Sequence, residues 1–190
     1  MKTIISFSFI LCSVFFASAD LRGNESFSFP VQYSAEQTTA TDGKIIKSKI
    51  YADGEKIRLE INAEGMDVVT IMRKDQNVCY TLMPAEKMCM VVPLKSLGKT
   101  VDYLPSANTK LTFVGKETIK SIVCDKYKLS MEKEDFLMWV DASNKMPVRQ
   151  ASADGKITVD WDHFKMAPQP ADLFEVPADY QKMDMGAFQK

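Results

Sequence analysis

The chain has 190 residues, of which 46% are hydrophobic and 26% are charged, and its formal net charge is −1. Charges of both signs alternate along the chain without long blocks, so nothing in the sequence favours a nucleic acid or an anionic membrane surface as a partner. This length and apolar content are sufficient for one domain with a substantial core.

The first 19 residues have the pattern of a secretory signal peptide. Lys2 gives a positive start, Ile4–Phe16 is almost wholly apolar, and Ala17–Ala19 is a small-residue cleavage signal. The sequence therefore predicts cleavage near Ala19, a single domain over residues 20–190, and a periplasmic or secreted location. After the leader, no run is long and apolar enough to predict a membrane span.

The rest of the chain is a succession of short apolar runs separated by turn residues. Lys56–Ile61 is the clearest, because Ile57, Leu59 and Ile61 alternate with charged residues and are predicted to point inward. Asp53-Gly54 before it is typical of a hairpin turn. The predicted strands are Phe27–Ala35, Ile45–Ala52, Lys56–Ile61, Met66–Met72, Val78–Leu82, Met88–Val92, Lys110–Glu117, Ile122–Met131, Phe136–Val140, Met146–Ala151 and Ile157–Phe164.

Two segments interrupt this pattern. Between Pro93 and Asn108, prolines and a glycine break the alternation, and leucines at helical spacing predict a short helix or turn. Pro168–Pro177 is proline-rich and excludes a further central strand. About eleven consecutive short strands with little helix predict an all-β fold with antiparallel neighbours. Phe136–Val140 is apolar on both faces, so both of its sides are expected to be covered.

Three cysteines follow the leader, which carries Cys12, and they allow at most one internal disulfide. A hairpin turning at Pro84–Lys87 would pair Cys79 with Val92 and Leu82 with Cys89. The two sulfurs would then lie on opposite faces, which argues against a bridge between them. Cys124 is predicted to be a reduced, buried thiol.

Residues typical of enzymes are scarce. His163, the only histidine, is in register with Trp161 and is interpreted as a strand residue with a satisfied hydrogen bond. There is no Gly-x-Ser-x-Gly motif and no glycine-rich phosphate loop, so no catalytic residue is proposed. Met88 and Met90 could supply soft metal ligands, but Cys89 between them faces the other way, so neither metal nor cofactor is predicted.

Two sets of side chains have alternative interpretations. Arg58 follows Ile57 in the same strand, so its side chain points to the other face of the sheet. It is interpreted as a solvated residue on that outer face, unless a lid covers the face and the guanidinium anchors the lid. Aromatic residues could line a cavity or belong to an ordinary core. They are Tyr33, Tyr80, Trp139 and Trp161.

Several short motifs together resemble the LolA-like superfamily of bacterial lipoprotein-sorting and carrier proteins. The motifs mark strand ends and turns over most of the chain. They are Trp139-Val140-Asp141, Pro147-Val148-Arg149, Asp154-Gly155, Phe164-Lys165, the run Leu173–Tyr180, and upstream Gly54–Glu60 and Arg73-Lys74-Asp75 through Tyr80 to Pro84. Within the superfamily, the sequence is most similar to secreted bacterial proteins known only as a domain of unknown function.

This resemblance implies a strongly curved antiparallel sheet forming a half-open barrel with an apolar concave face, which in several members holds acyl chains. We therefore expect a non-enzymatic envelope protein that binds a lipid or a lipoprotein-like partner, and is itself a monomer. The alternative is a structural or protein-interaction module whose core is filled by its own side chains. The candidate ligand-binding residues are Tyr33, Ile57, Leu59, Ile61, Tyr80, Trp139 and Trp161.

Overall fold

A computed structural model describes residues 19–21, 25–27, 31–41, 43–63, 65–96, 110–130 and 135–185. Almost every element is a strand. The strands are β1 (Ala19–Leu21), β2 (Glu25–Phe27), β3 (Gln32–Thr41), β4 (Lys44–Asp53), β5 (Lys56–Ala63), β6 (Met66–Arg73), β7 (Val78–Met83), β8 (Met88–Pro93), β9 (Lys110–Ile119), β10 (Ile122–Ser130), β11 (Asp135–Asp141), β12 (Pro147–Ser152), β13 (Ile157–Met166) and β14 (Gln181–Asp184). Short 3-10 helices cover Lys74–Gln76 and Ala171–Phe174.

Twelve strands form one sheet in the order β14-β8-β7-β6-β5-β4-β3-β13-β12-β11-β10-β9, and β1 pairs with β2. The two outermost strands of this order do not pair, so the sheet is a half-open barrel. From β3 to β8 and from β9 to β13, consecutive strands pair antiparallel because short turns join them. The turn between β4 and β5 contains Gly54 at φ 62, a left-handed conformation that glycine adopts without strain.

Each predicted strand overlaps one of β3–β13, so the all-β prediction and its antiparallel order are confirmed. The twelfth strand of the sheet, β14, was not predicted. It follows the proline-rich segment and pairs parallel with β8 at the edge of the sheet, where a strand needs only one hydrogen-bonded neighbour.

The sheet has two unlike faces, which are named here by two neighbouring residues of β5. The Ile57 face carries Ile57, Leu59 and Ile61 together with their cross-strand partners. The Arg58 face carries Arg58 and Glu60 and is covered in part by the segment after β13. Both faces bury apolar side chains, so the covering of Phe136–Val140 on both sides is confirmed: Phe136, Met138, Trp139 and Val140 are each at most 7% exposed.

Two predictions fall outside the described part of the chain. The predicted signal peptide lies there except for Ala19, and so does most of the predicted helix, from residue 97 to residue 108. Among the described residues, no helix is long and apolar enough to cross a membrane.

Candidate functional site

Five of the seven predicted ligand-binding residues lie together on the Ile57 face. Tyr33, Ile57, Leu59 and Trp161 are each at most 5% exposed and belong to one cluster, against which the partly buried Ile61 packs. Register explains this grouping, because Tyr33 is opposite Ala52, and Ala52 is opposite Ile57. The structure therefore places these five side chains together on one face of the sheet.

Aromatic packing orders one end of this cluster. The ring of Tyr33 stacks on Phe164, with 4.7 Å between the ring centroids. Burial raises the pKa of Tyr33 above its ordinary value, since the phenolate would lose its hydration. The hydroxyl thus stays protonated at any physiological pH.

The other two predicted residues lie elsewhere. Tyr80 packs on the Arg58 face, where the Lys182 ammonium is 5.9 Å from its ring centroid. Trp139 belongs to a third cluster with Cys124, and its indole Nε1 donates to Glu117 Oε2 at 3.0 Å. These two are not part of the surface that Ile57 defines, because odd and even positions of a strand face opposite ways.

Between β3 and β8 the Ile57 face is almost free of charge, whereas on β10 the same face carries the buried Asp125, which is paired with Lys116 and Lys145. On β3–β8, the described side chains of this face are apolar or neutral apart from Lys44, which stands at a hairpin end. Gln37, Thr70 and Gln150 are buried polar residues at inward positions, and none of them was predicted as a site residue. The sequence did contain a sign of these residues, because each is a polar residue at an otherwise apolar inward position of its strand.

The Arg58 face carries a different structure, formed by the chain segment after β13. Phe174 is completely buried among Val69, Ile71, Leu82 and Cys89. Arg58 Nη1 donates to the carbonyl oxygen of Leu173 at 3.0 Å, and Arg58 Nε donates to Glu60 Oε1 at 2.7 Å. The interpretation of Arg58 as a solvated residue was therefore wrong: it anchors a covering segment.

Arg73 is the second anchor and is 6% exposed. Its guanidinium donates to both carboxylate oxygens of Asp75, to the carbonyl oxygen of Phe174 at 3.3 Å and to Glu175 Oε1 at 2.6 Å. Hydrogen bonds to Asp75 and Glu175 raise the pKa of Arg73. The same bond between Arg73 and Asp75 lowers the pKa of the Asp75 carboxyl group. We name residues 171–184 the clasp, because two arginines hold it to the sheet.

The cysteines agree with prediction. Cys79 is opposite Val92 and Cys89 is opposite Leu82, which places the two sulfurs on different faces. Cys79, Cys89 and Cys124 are all buried and free. Burial raises the pKa of Cys79 to about 11, so this thiol is unreactive at neutral pH.

The prediction for His163 is only partly right. It lies in a bulge of β13 at φ 53, and its side chain is 74% exposed rather than aligned with Trp161. Its Nδ1 is 3.1 Å from Glu36 Oε2, which satisfies the expected hydrogen bond. No group of His, Cys, Asp and Glu residues suited to a metal ion occurs in the described part of the chain.

A family model described as "Domain of unknown function (DUF4412)" matches residues 35–144, more than half of the chain. The chain belongs to the DUF4412 family. The expected relationship to a family of unknown function is thereby confirmed. A comparison with curated proteins found no match.

Among solved structures, an uncharacterised conserved protein from Thermus thermophilus superimposes with a TM-score of 0.62 at 13% identity, over 82% of this chain and 91% of that one. This likeness supports the fold. A LolA superfamily protein from Nitrosomonas europaea gives a TM-score of 0.38 at 14% identity, over 77% and 91% of the two chains. A chain of the Pseudomonas aeruginosa MucA/MucB complex superimposes with a TM-score of 0.46 at 11% identity, over 79% of this chain and 57% of that one. These two weaker likenesses add nothing to that conclusion.

Proposed function

We propose that this DUF4412 member is an exported, non-enzymatic envelope protein that holds a lipid or an acylated partner against its Ile57 face. The observation that carries the proposal is the apolar cluster on the Ile57 face to which Tyr33, Ile57, Leu59, Ile61 and Trp161 contribute. Sites for apolar ligands are lined in this way, with few polar groups. The leader pattern in residues 1–19 supports export to the periplasm.

Native mass spectrometry of protein purified from periplasm tests this proposal. We expect a co-purified lipid that appears as an adduct of defined mass, and we expect the delipidated protein to enhance the fluorescence of diphenylhexatriene. Protein that carries no lipid and does not bind the fluorophore would count decisively against the proposal.

The alternative function is a structural or protein-interaction module, and one observation favours it. Ile50, Ala52 and Val159 on the same face are at most 1% exposed, which is the burial of a packed core. Under this alternative, the surface is filled by the chain's own residues and contacts with partners are made elsewhere. Cross-linking in intact envelopes separates the two: a protein partner retained without any lipid supports the module.

A further inference from the structure

Three buried polar side chains each leave one atom without a hydrogen-bond partner. Gln37, Thr70 and Gln150 are 3%, 4% and 4% exposed. Their atoms Gln37 Nε2, Thr70 Oγ1 and Gln150 Oε1 have no hydrogen-bond partner in the described part of the molecule. Buried polar groups in folded proteins are almost always hydrogen-bonded, so three exceptions call for a physical explanation.

All three lie on the Ile57 face. Gln37 is opposite Trp161, Thr70 is opposite Leu59, and Gln150 is opposite Val159. The amide oxygen of Gln37 accepts from Ser48 Oγ at 3.3 Å, which leaves its nitrogen as the unpaired donor. If the amide were rotated by half a turn, its oxygen would be the unpaired atom instead, so one amide atom of Gln37 lacks a partner in either orientation.

Their spacing suits one elongated molecule. In the sheet order, Gln150 on β12 lies two strands from Gln37 on β3, and Thr70 on β6 lies three strands from it on the other side. With strands about 4.8 Å apart, these intervals correspond to about 10 Å and about 14 Å along the sheet. A long chain molecule lying across the strands therefore passes all three groups.

Other buried polar groups show that this chain can supply partners. Arg73 on the Arg58 face is fully engaged by Asp75, Phe174 and Glu175. At the end of β12, the buried Ser152 hydroxyl donates to Asp154 Oδ1 at 2.6 Å and accepts from the Ile157 N–H at 3.0 Å. The unpaired groups thus coincide with the surface on which a ligand is proposed to lie.

We propose that the ligand of the Ile57 face is an uncharged acyl ester or amide that also carries a hydroxyl or N–H group; this inference rests on the proposed function. Gln37 Nε2 donates to a ligand carbonyl, Gln150 Oε1 accepts from a ligand hydroxyl or N–H, and the Thr70 hydroxyl pairs with either kind of group. On β3–β6, the described part of the Ile57 face has no cation beside Gln37 or Thr70, so a fatty-acid carboxylate there would lose its hydration without gaining a counter-charge.

The experiment compares three probes on the purified, delipidated protein: 1-monooleoylglycerol, oleate and diphenylhexatriene. We expect monooleoylglycerol to bind about tenfold more tightly than oleate. Gln37→Leu and Thr70→Val should each weaken monooleoylglycerol binding by about three- to tenfold, the contribution of one hydrogen bond. Neither change should alter the affinity for diphenylhexatriene, which has no hydrogen-bonding group.

Urea unfolding distinguishes a ligand contact from a structural role. Because Thr70 Oγ1 is unpaired without ligand, Thr70→Val should leave the unfolding midpoint unchanged or raise it. Gln37→Leu also removes the acceptor of the Ser48 hydroxyl, so it should lower the midpoint slightly. Ser152→Ala is the matched control, because it removes a buried hydroxyl with two partners. It should lower the midpoint and leave the ratio of affinities for monooleoylglycerol and oleate unchanged.

The two proposals fail in different ways. If none of the three probes binds, both the proposed function and this inference are overturned. If diphenylhexatriene and oleate bind but monooleoylglycerol binds no more tightly than oleate, or if the two variants bind it as the wild type does, only the inference is overturned.

Discussion

At the residue scale, Trp139 is a buried aromatic side chain with two polar contacts. It is 6% exposed, donates to Glu117, and lies 4.7 Å below the Lys126 ammonium. The hydrogen bonds from Lys126 and Trp139 lower the pKa of Glu117. Trp139 thus contributes a buried indole and also organises a polar contact at the boundary of its cluster.

Trp139→Ala should lower the free energy of unfolding by about 3–5 kcal/mol, because it leaves a large cavity beside Cys124. Urea denaturation with an unchanged slope measures this loss. Trp139→Phe keeps a six-membered aromatic ring but loses the N–H donor and part of the buried volume, so it should cost less than the alanine variant. A loss below about 1 kcal/mol for the alanine variant would show that the indole is not in a packed core.

The buried thiol of Cys79 should make the protein less stable as the pH becomes alkaline. The pKa of this thiol is about 11 in the folded chain against an ordinary value of 9.0, because burial disfavours the thiolate. Below pH 9 the Cys79 thiol is protonated in both the folded and the unfolded chain, so its ionisation does not reduce the stability of the folded state. As the pH rises from 9 to 11 only the unfolded chain ionises, so the folded state loses about 2–3 kcal/mol.

Urea unfolding under reducing conditions at pH 8, 10 and 11 checks this prediction. Cys79→Ala has no thiol to ionise at this position, so its stability should fall less steeply over the same range. Equal slopes for the two proteins would show that Cys79 is accessible to water in the folded state.

At the element scale, the clasp is held by residues far away in sequence. Arg58 and Arg73 lie on neighbouring strands and bind the consecutive carbonyl groups of Leu173 and Phe174. Phe174 fills the space between those arginines and β7–β8. The guanidinium groups satisfy backbone oxygens that would otherwise be buried without donors, while the phenyl ring supplies the hydrophobic contact.

Arg73→Ala should destabilise the fold by about 2–3 kcal/mol, since charged hydrogen bonds in a buried setting contribute this much. Arg58→Ala should have a smaller effect of about 1.5 kcal/mol, because Arg58 makes fewer contacts with the clasp. Lys87→Ala is the control, since its bridge to Asp179 is exposed and its loss should hardly alter stability. Limited proteolysis should show faster cleavage within residues 171–184 in the Arg73 variant than in the control.

At the scale of the whole molecule, β14 protects one edge of the sheet. It runs parallel to β8 and closes hydrogen bonds from Gln181 N to Lys87 O at 2.8 Å and from Met185 N to Val91 O at 2.9 Å. An unpaired edge strand as apolar as Met88–Pro93 would be a template for pairing with another chain. The clasp therefore covers a face and an edge at once.

Deleting residues 181–190 should increase self-association, because β8 would then present unpaired backbone groups. Size-exclusion chromatography with light scattering over a range of concentrations measures the change relative to wild type. Met183→Ala keeps the backbone of β14 and should behave as wild type does. If the truncated protein has the same mass as wild type at every concentration, the edge is protected by something other than β14.

Local sequence patterns were sufficient for the strands and much of their register. The turn at Pro84–Lys87 alone gave the pairing of Cys79 with Val92, which the structure has. They were insufficient for His163, because a bulge with a left-handed residue shifts the alternation that the prediction assumed. They also placed Tyr80 and Trp139 in a common site with Ile57, although the three lie in separate clusters.

The sequence by itself determined the all-β class, the hairpins and the burial of Ile57 and Leu59, because alternation and turn residues act within a few positions of each other. Only the tertiary structure decided what covers the Arg58 face. The bond from Arg58 to Leu173 spans 115 positions, and that from Arg73 to Phe174 spans 101. Contacts at such separations depend on where the folded sheet positions residues 171–184. From sequence alone, an arginine on the polar face of a strand is therefore predicted to be solvated.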